Sequence, residues 1–184
     1  MIRIIIGYFL VLFDIVYQIG SQGNRADILP DFIGYLLIFW GAWKYKNGSA
    51  DFKKFNISLI VAFVYSYVAY ILDMYGLMSK MPVMAVTMIS AASDMLKVTT
   101  IFLLTFALKS FKNPRLDIQS KRLIMVWRVI LVCYIAEYVF LNFEEIEIAF
   151  FFFSKICAVT VIFYVFTSFD ILRSEQKKKI GGKK

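Results

Sequence analysis

The sequence predicts an all-α, polytopic membrane protein: a bundle of six transmembrane helices in three hairpins, with both termini cytoplasmic. Composition is the first reason, because 60% of the 184 residues are hydrophobic and only 18% are charged, whereas soluble domains are about half apolar and about a quarter charged. The second reason is that six apolar stretches approach the roughly 20 residues that a helix needs to cross a bilayer. The third is that basic residues cluster in alternate connections, which is the pattern that sets membrane topology.

The apolar stretches define the six predicted helices. The first contains Asp14 and lacks a small-residue cleavage site, so we interpret it as a retained helix and not as a signal peptide. We expect residues 1–172 to form the transmembrane domain and residues 173–184 a basic cytoplasmic tail. The predicted helices are Ile2–Ile19, Ile28–Trp43, Phe55–Met78, Pro82–Leu108, Leu123–Phe143 and Ile148–Leu172.

The charges of the connections predict the orientation. Sixteen of the 21 lysines and arginines fall at the amino end, in the second and fourth connections and in the tail, whereas the other three connections carry only Arg25 and Lys80. Basic connections stay in the cytoplasm, so both termini are predicted there. Trp40, Trp43 and Trp127 are predicted at the same interface, where amphipathic rings prefer to lie.

The segment that opens the second helix, DILPDFIGYLLIFWG, is the most distinctive in the chain. Asp27 suits a helix cap, and Pro30 is tolerated in a first turn because no intrahelical hydrogen bond is lost there. Gly34 and Gly41 lie two turns apart on one helix face. Small residues let membrane helices approach closely, so we predict that these glycines pack against another helix.

This segment resembles the amino-terminal signature of a family of small six-helix integral membrane proteins of Gram-positive bacteria. In that family a Leu/Ile-Pro-Asp-Phe-Ile-Gly-Tyr run also opens the second helix. The resemblance covers Asp27 to Gly41, and the rest of the chain is similar only in helix layout. It implies the fold and a multi-pass location in the bacterial plasma membrane. The family has no assigned activity, so the resemblance implies no functional residue.

Six ionisable side chains lie inside the predicted helices, away from their ends. Each costs at least ~2.5–3.5 kcal/mol at the bilayer centre, so such residues usually face the protein interior. Asp94 and Lys97 are three residues apart, share a helix face and can pair. Long basic side chains such as Arg128 and Lys155 can also reach the interface. The six are Asp14, Asp94, Lys97, Arg128, Glu137 and Lys155.

Two functions fit these residues. In the first, a polar cavity open to the outside binds a small solute or relays protons for transport; one version is a substrate-binding subunit of a multi-component vitamin importer, although the alanine-spaced docking motif of the first helix is missing. In the second, the same side chains form a buried network that fixes helix register. The protein is then an accessory, immunity or sensor protein packed against a partner membrane protein. The predicted substrate-binding residues are Asp14, Gln18, Asp94, Lys97 and Glu137.

Other classes of function are disfavoured. The chain has no histidine, and Cys133 and Cys157 fall inside apolar helices, so neither a metal site nor a cofactor is expected. No nucleophile or phosphate-binding motif is present, and we predict no enzymatic activity. The basic residues flank apolar runs, which argues against nucleic acid. The expected partners are the lipid bilayer, with anionic lipid contacted by Lys177, Lys178 and Lys179, and a membrane protein.

Overall fold

The computed structural model describes residues 1–13, 16–19, 24–27, 30–46, 49–140 and 143–181, with the backbone alone for 16–19, 24–27, 144–147 and 176–181. The predicted all-α class is confirmed, and the described chain forms six α-helices with one short β-hairpin. The helices are α1 (Ile2–Leu12), α2 (Asp31–Ala42), α3 (Ala50–Met74), α4 (Val83–Lys109), α5 (Pro114–Val139) and α6 (Glu144–Gly181); the strands are β1 (Val16–Ile19) and β2 (Asn24–Asp27).

The first helix is shorter than predicted. It ends at Leu12 instead of Ile19, and residues 16–19 pair antiparallel with residues 24–27, with Val16 opposite Asp27. With 11 residues, α1 is about 16 Å long and cannot cross a bilayer core of about 30 Å. Val16, Tyr17 and Ile19 are β-branched or aromatic, so they suit a strand as well as an apolar helix.

Three helices among the described residues, α3, α4 and α6, are long and apolar enough to span a membrane. The prediction of six complete spans therefore needs correction. Helix α2 has 12 residues before a 3₁₀ turn at Trp43–Tyr45, which gives it about 18 Å of α-helix. Helix α5 has 26 residues but carries Arg128 and Glu137 in its apolar part.

Consecutive helices pack against each other along the whole chain, and α6 returns to contact α1, which closes the bundle. Rings from two helices and two connections meet at one end: Tyr45 lies 5.9 Å from Phe52 and 5.5 Å from Phe169, and Phe52 lies 5.4 Å from Phe111. We call this the basic end, because α1, α3 and α5 begin there beside most of the lysines and arginines. The opposite end is the acidic end.

Helix α5 begins at Pro114 and not at Leu123, which moves Trp127 into the bundle. Its indole N–H donates to the carbonyl oxygen of Val98 at 2.9 Å. Trp127 therefore lies at mid-height and not at the interface where it was predicted. Trp40, by contrast, stacks under the guanidinium of Arg3, 4.8 Å from its ring centre, at the basic end.

The glycines of α2 face α1 of the same chain. A Cβ on Gly34 would lie 2.7 Å from the carbonyl oxygen of Gly7, and a Cβ on Gly7 would lie 2.6 Å from that of Gly34. Gly41 lies against the side chain of Ile4. The two backbones touch, so this glycine face is already covered and is not offered to a partner protein.

Burial changes along α3 and α4. The buried side chains of α3 end at Ser66, and those of α4 begin at Lys97 and continue to Leu108. No side chain of Tyr67–Met74 or Val83–Leu96, all of which the structure describes, is buried. On α5, by contrast, burial continues beyond the depth of Lys97, at Ile130, Cys133, Tyr134 and Ala136.

Candidate functional site

Lys97 lies in the middle of α4 and is 3% exposed. It follows Val83 by 14 residues and precedes Lys109 by 12, which puts it about 21 Å and 18 Å from the two helix ends. A buried ammonium at this depth needs anionic partners, because desolvation strongly penalises an unpaired charge.

Two carboxylates from different helices bind Lys97. Its Nζ lies 3.3 Å from Asp31 Oδ2 and 3.5 Å from Asp94 Oδ1, and these side chains are 11% and 17% exposed. The hydroxyl of Tyr138 donates to Asp94 Oδ2 at 2.8 Å. Asp31, Asp94, Lys97 and Tyr138, which we call the Lys97 cluster, therefore join α2, α4 and α5 at one point.

The short helices explain how Asp31 reaches this depth. Helix α2 begins in the middle of the bundle, with Pro30 at its N-cap and Asp31 as its first residue. Proline costs no hydrogen bond at a helix start, and an acidic side chain there interacts favourably with the helix dipole. The sequence analysis placed Asp31 near the start of the second helix but did not predict that it binds Lys97. The signal was present in the proline and in the short second helix.

The end of α1 is held by a second lysine. Lys155 of α6 donates from Nζ to the carbonyl oxygen of Leu12, the last residue of α1, at 3.0 Å. Its ammonium also lies 5.0 Å from the ring centre of Phe151. The last carbonyls of a helix lack intrahelical donors and carry partial negative charge, so a lysine there is stabilising. Lys155 thus binds α1 and does not only extend toward the interface.

Buried phenols lie beside the cluster, on its basic side. Tyr35 follows Asp31 by one helical turn, is fully buried, and interacts electrostatically with Asp31, Lys97, Tyr134 and Tyr8. Within the described part of the chain, the hydroxyls of Tyr35 and Tyr8 have no hydrogen-bond partner. Buried hydroxyl groups usually bind protein or water, so these two mark places where a polar molecule would be stabilised.

Of the remaining predicted binding residues, Glu137 lies next in sequence to the Lys97 cluster, whereas the side chains of Asp14 and Gln18 are not described. Glu137 precedes Tyr138 on α5 and is half-buried, with Oε1 shielded from solvent. Neighbouring residues on a helix point about 100° apart, and it is Tyr138 that reaches Asp94. Asp14 lies outside the described residues. Gln18 pairs with Arg25 in the hairpin backbone, and its side chain lies outside the described part.

The polar chemistry of this site is that of carboxylates, an ammonium and phenols. Across the residues that the structure describes, no group of three histidine, cysteine, aspartate or glutamate side chains could hold a metal ion. Cys133 and Cys157 are free and buried. The arrangement can bind a small polar molecule through hydrogen bonds and ion pairs.

Comparison with models of known protein families, with curated protein sequences and with solved structures finds no match for this chain.

Proposed function

We propose that this is a multi-pass protein of the bacterial plasma membrane that binds a small polar solute at the Lys97 cluster, as part of solute or proton-linked transport. The solute enters through the space between the acidic halves of α3–α6, which we call the vestibule. The basic end is cytoplasmic and the vestibule opens to the outside. The resemblance of Asp27–Gly41 to a Gram-positive membrane family supports the location.

One observation carries this proposal: a charged cluster lies where the buried face of α4 ends. Side chains of α4 are buried from Lys97 to Leu108, and none is buried from Val83 to Leu96. A cluster that only fixed helix register would be expected to have buried neighbours on both sides along α4. Its position at the end of the buried face instead suits a site that solute reaches from one side.

The two half-length helices support the same function. Transporters often bind solute near the bilayer midplane, where broken helices expose their ends inside the protein. Here α1 ends at Leu12 and α2 begins at Asp31, and Lys155 and Lys97 bind these two ends. A solute that bound Asp94 would weaken the link between α2 and α4, so occupancy of the site would alter how these helices are held.

The second candidate is a non-transport accessory protein in which the network only fixes helix register. The pairing of Lys97 with two carboxylates favours it, because an ion pair satisfied within the chain needs no ligand. The closed glycine face between α1 and α2 weighs against it, because a face that α1 already covers is not open to a partner protein.

Mass spectrometry of the gently purified full-length protein tests the proposal. We expect a small solute to be retained by the wild type and lost in Asp94→Asn. Asp117→Asn is the matched control, because Asp117 also binds a lysine of its own helix, Lys121 at 2.7 Å, but at the exposed basic end. A stoichiometric protein partner without any solute would favour the accessory function, and equal retention by wild type and Asp94→Asn would reject the site.

A further inference from the structure

We propose that the solute is a small organic monocation with an ammonium group, and that Lys97 occupies its binding position as a tethered stand-in when the site is empty. The inference rests on the proposed function and adds the chemical class of the solute. It draws on two features of the described residues: the charge balance of the cluster and the bond that Lys97 already makes.

The charge balance favours a cation. The cluster holds two carboxylates and one ammonium, which leaves a formal excess of one negative charge. At and beyond the depth of Lys97, the six helices and the α3–α4 connection carry more acids than bases, and a surface of one sign concentrates ligands of the opposite sign. The acids are Asp31, Asp73, Asp94, Glu137, Glu144, Glu145 and Glu147, and the bases are Lys80, Lys97, Arg128 and Lys155.

Lys97 shows which group the carboxylates accept. Its side chain ends in a primary alkylammonium, and Asp31 and Asp94 already hold that group from two sides. Asp94 is the more exposed of the two acids, and on α4 it lies about one turn beyond Lys97 toward the vestibule. An incoming ammonium therefore replaces Lys97 at Asp94, while Lys97 stays bound to Asp31. The hydroxyl of Tyr138 keeps Asp94 oriented during this exchange.

The test uses three probes of similar size and different charge: butylammonium, butyramide and butyrate. Trp127 reports binding, because its indole donates to Val98, the neighbour of Lys97. Trp40→Phe and Trp43→Phe remove the other two tryptophans, which lie exposed near the basic end. The full chain in detergent is titrated with each probe, and the midpoint of thermal unfolding is recorded for the same samples.

We expect butylammonium to give a saturable change in Trp127 fluorescence and to raise the unfolding midpoint, with affinity at least tenfold higher than for the other probes. Asp94→Asn should abolish both effects, and Asp117→Asn should retain them. If butyramide or butyrate binds as well as butylammonium and depends on Asp94, the cationic class is wrong while the proposed site stands. If butylammonium changes neither signal, the inference is rejected, and solute retention alone decides the proposed function.

Discussion

At the scale of single residues, one buried lysine holds the centre of the bundle together. Lys97 holds Asp31 and Asp94 together at mid-height, and Tyr138 supports the arrangement from α5. A buried charge that loses its partner is far more costly than a neutral pair of the same size. Single substitutions that leave an unpaired charge in the cluster should therefore lower the free energy of unfolding more than paired substitutions that remove both charges.

Replacing Lys97 by alanine should lower the free energy of unfolding by about 3–5 kcal/mol, because two buried carboxylates lose their counter-ion. The double variant Asp94→Asn with Lys97→Gln should recover part of this loss. Lys54→Ala is the control, since Lys54 also pairs with an aspartate of its own helix but is 68% exposed, and exposed pairs contribute about 0–1 kcal/mol. Denaturant unfolding in detergent measures all three. Equal losses for Lys97→Ala and Lys54→Ala would contradict the buried cluster.

At the scale of elements, α1 and α2 form a unit of two half-length helices in backbone contact. Gly7 and Gly34 allow this contact, and Lys97 and Lys155 bind the ends that the short helices leave inside the bundle. Small residues substitute here for the hydrophobic effect, which does not drive helices together in lipid.

Gly34→Ala should destabilise the protein more than Gly41→Ala. The new Cβ at position 34 meets the backbone oxygen of Gly7, so the helices must separate, at a cost of about 1–3 kcal/mol. The Cβ at position 41 clashes with the side chain of Ile4, which can shift, and makes only an ordinary contact of 3.5 Å with the Ile4 backbone nitrogen. Thermal unfolding of the two variants side by side measures the difference. A larger loss for Gly41→Ala would show that the contact of Gly7 with Gly34 is not the tight one.

The sequence was most informative about the longer elements. Helices α3, α4 and α6 follow from long apolar runs, and the spacing of Asp94 and Lys97 was enough to expect their pair. The end of α1 was missed because apolar, β-branched residues suit a helix and a strand equally. The roles of Asp31 and of the bond from Lys155 to Leu12 were missed because both depend on where α1 ends and α2 begins inside the bundle. The length of an apolar stretch does not reveal these positions.

At the scale of the whole molecule, charge divides the bundle into two halves, and the burial of α4 changes at Lys97. The basic half is closely packed and has the ring cluster of Tyr45, Phe52, Phe111 and Phe169 at its end. The acidic half holds few buried side chains on the described parts of α3 and α4. If the basic half faces the cytoplasm, as the positive-inside rule predicts, the open half faces outward and can receive solute.

The measurement that tests this division most directly is the reactivity of Ser90→Cys toward a hydrophilic, membrane-impermeant maleimide in intact cells. Ser90 lies one turn above Asp94 on the same face of α4, in the exposed part of the helix. Met88→Cys, on the opposite face and 59% exposed, serves as the lipid-facing control. Ser79→Cys in the α3–α4 connection and Ser174→Cys near the end of α6 control for the two sides of the membrane.

We predict that Ser79→Cys and Ser90→Cys react in intact cells, that Met88→Cys does not, and that Ser174→Cys reacts only after the membrane is permeabilised. That pattern would place water on the Asp94 face of α4, with the open half outward. A Ser90→Cys thiol as unreactive as that of Met88→Cys would contradict the vestibule, because the face above Lys97 would then be covered by lipid or protein.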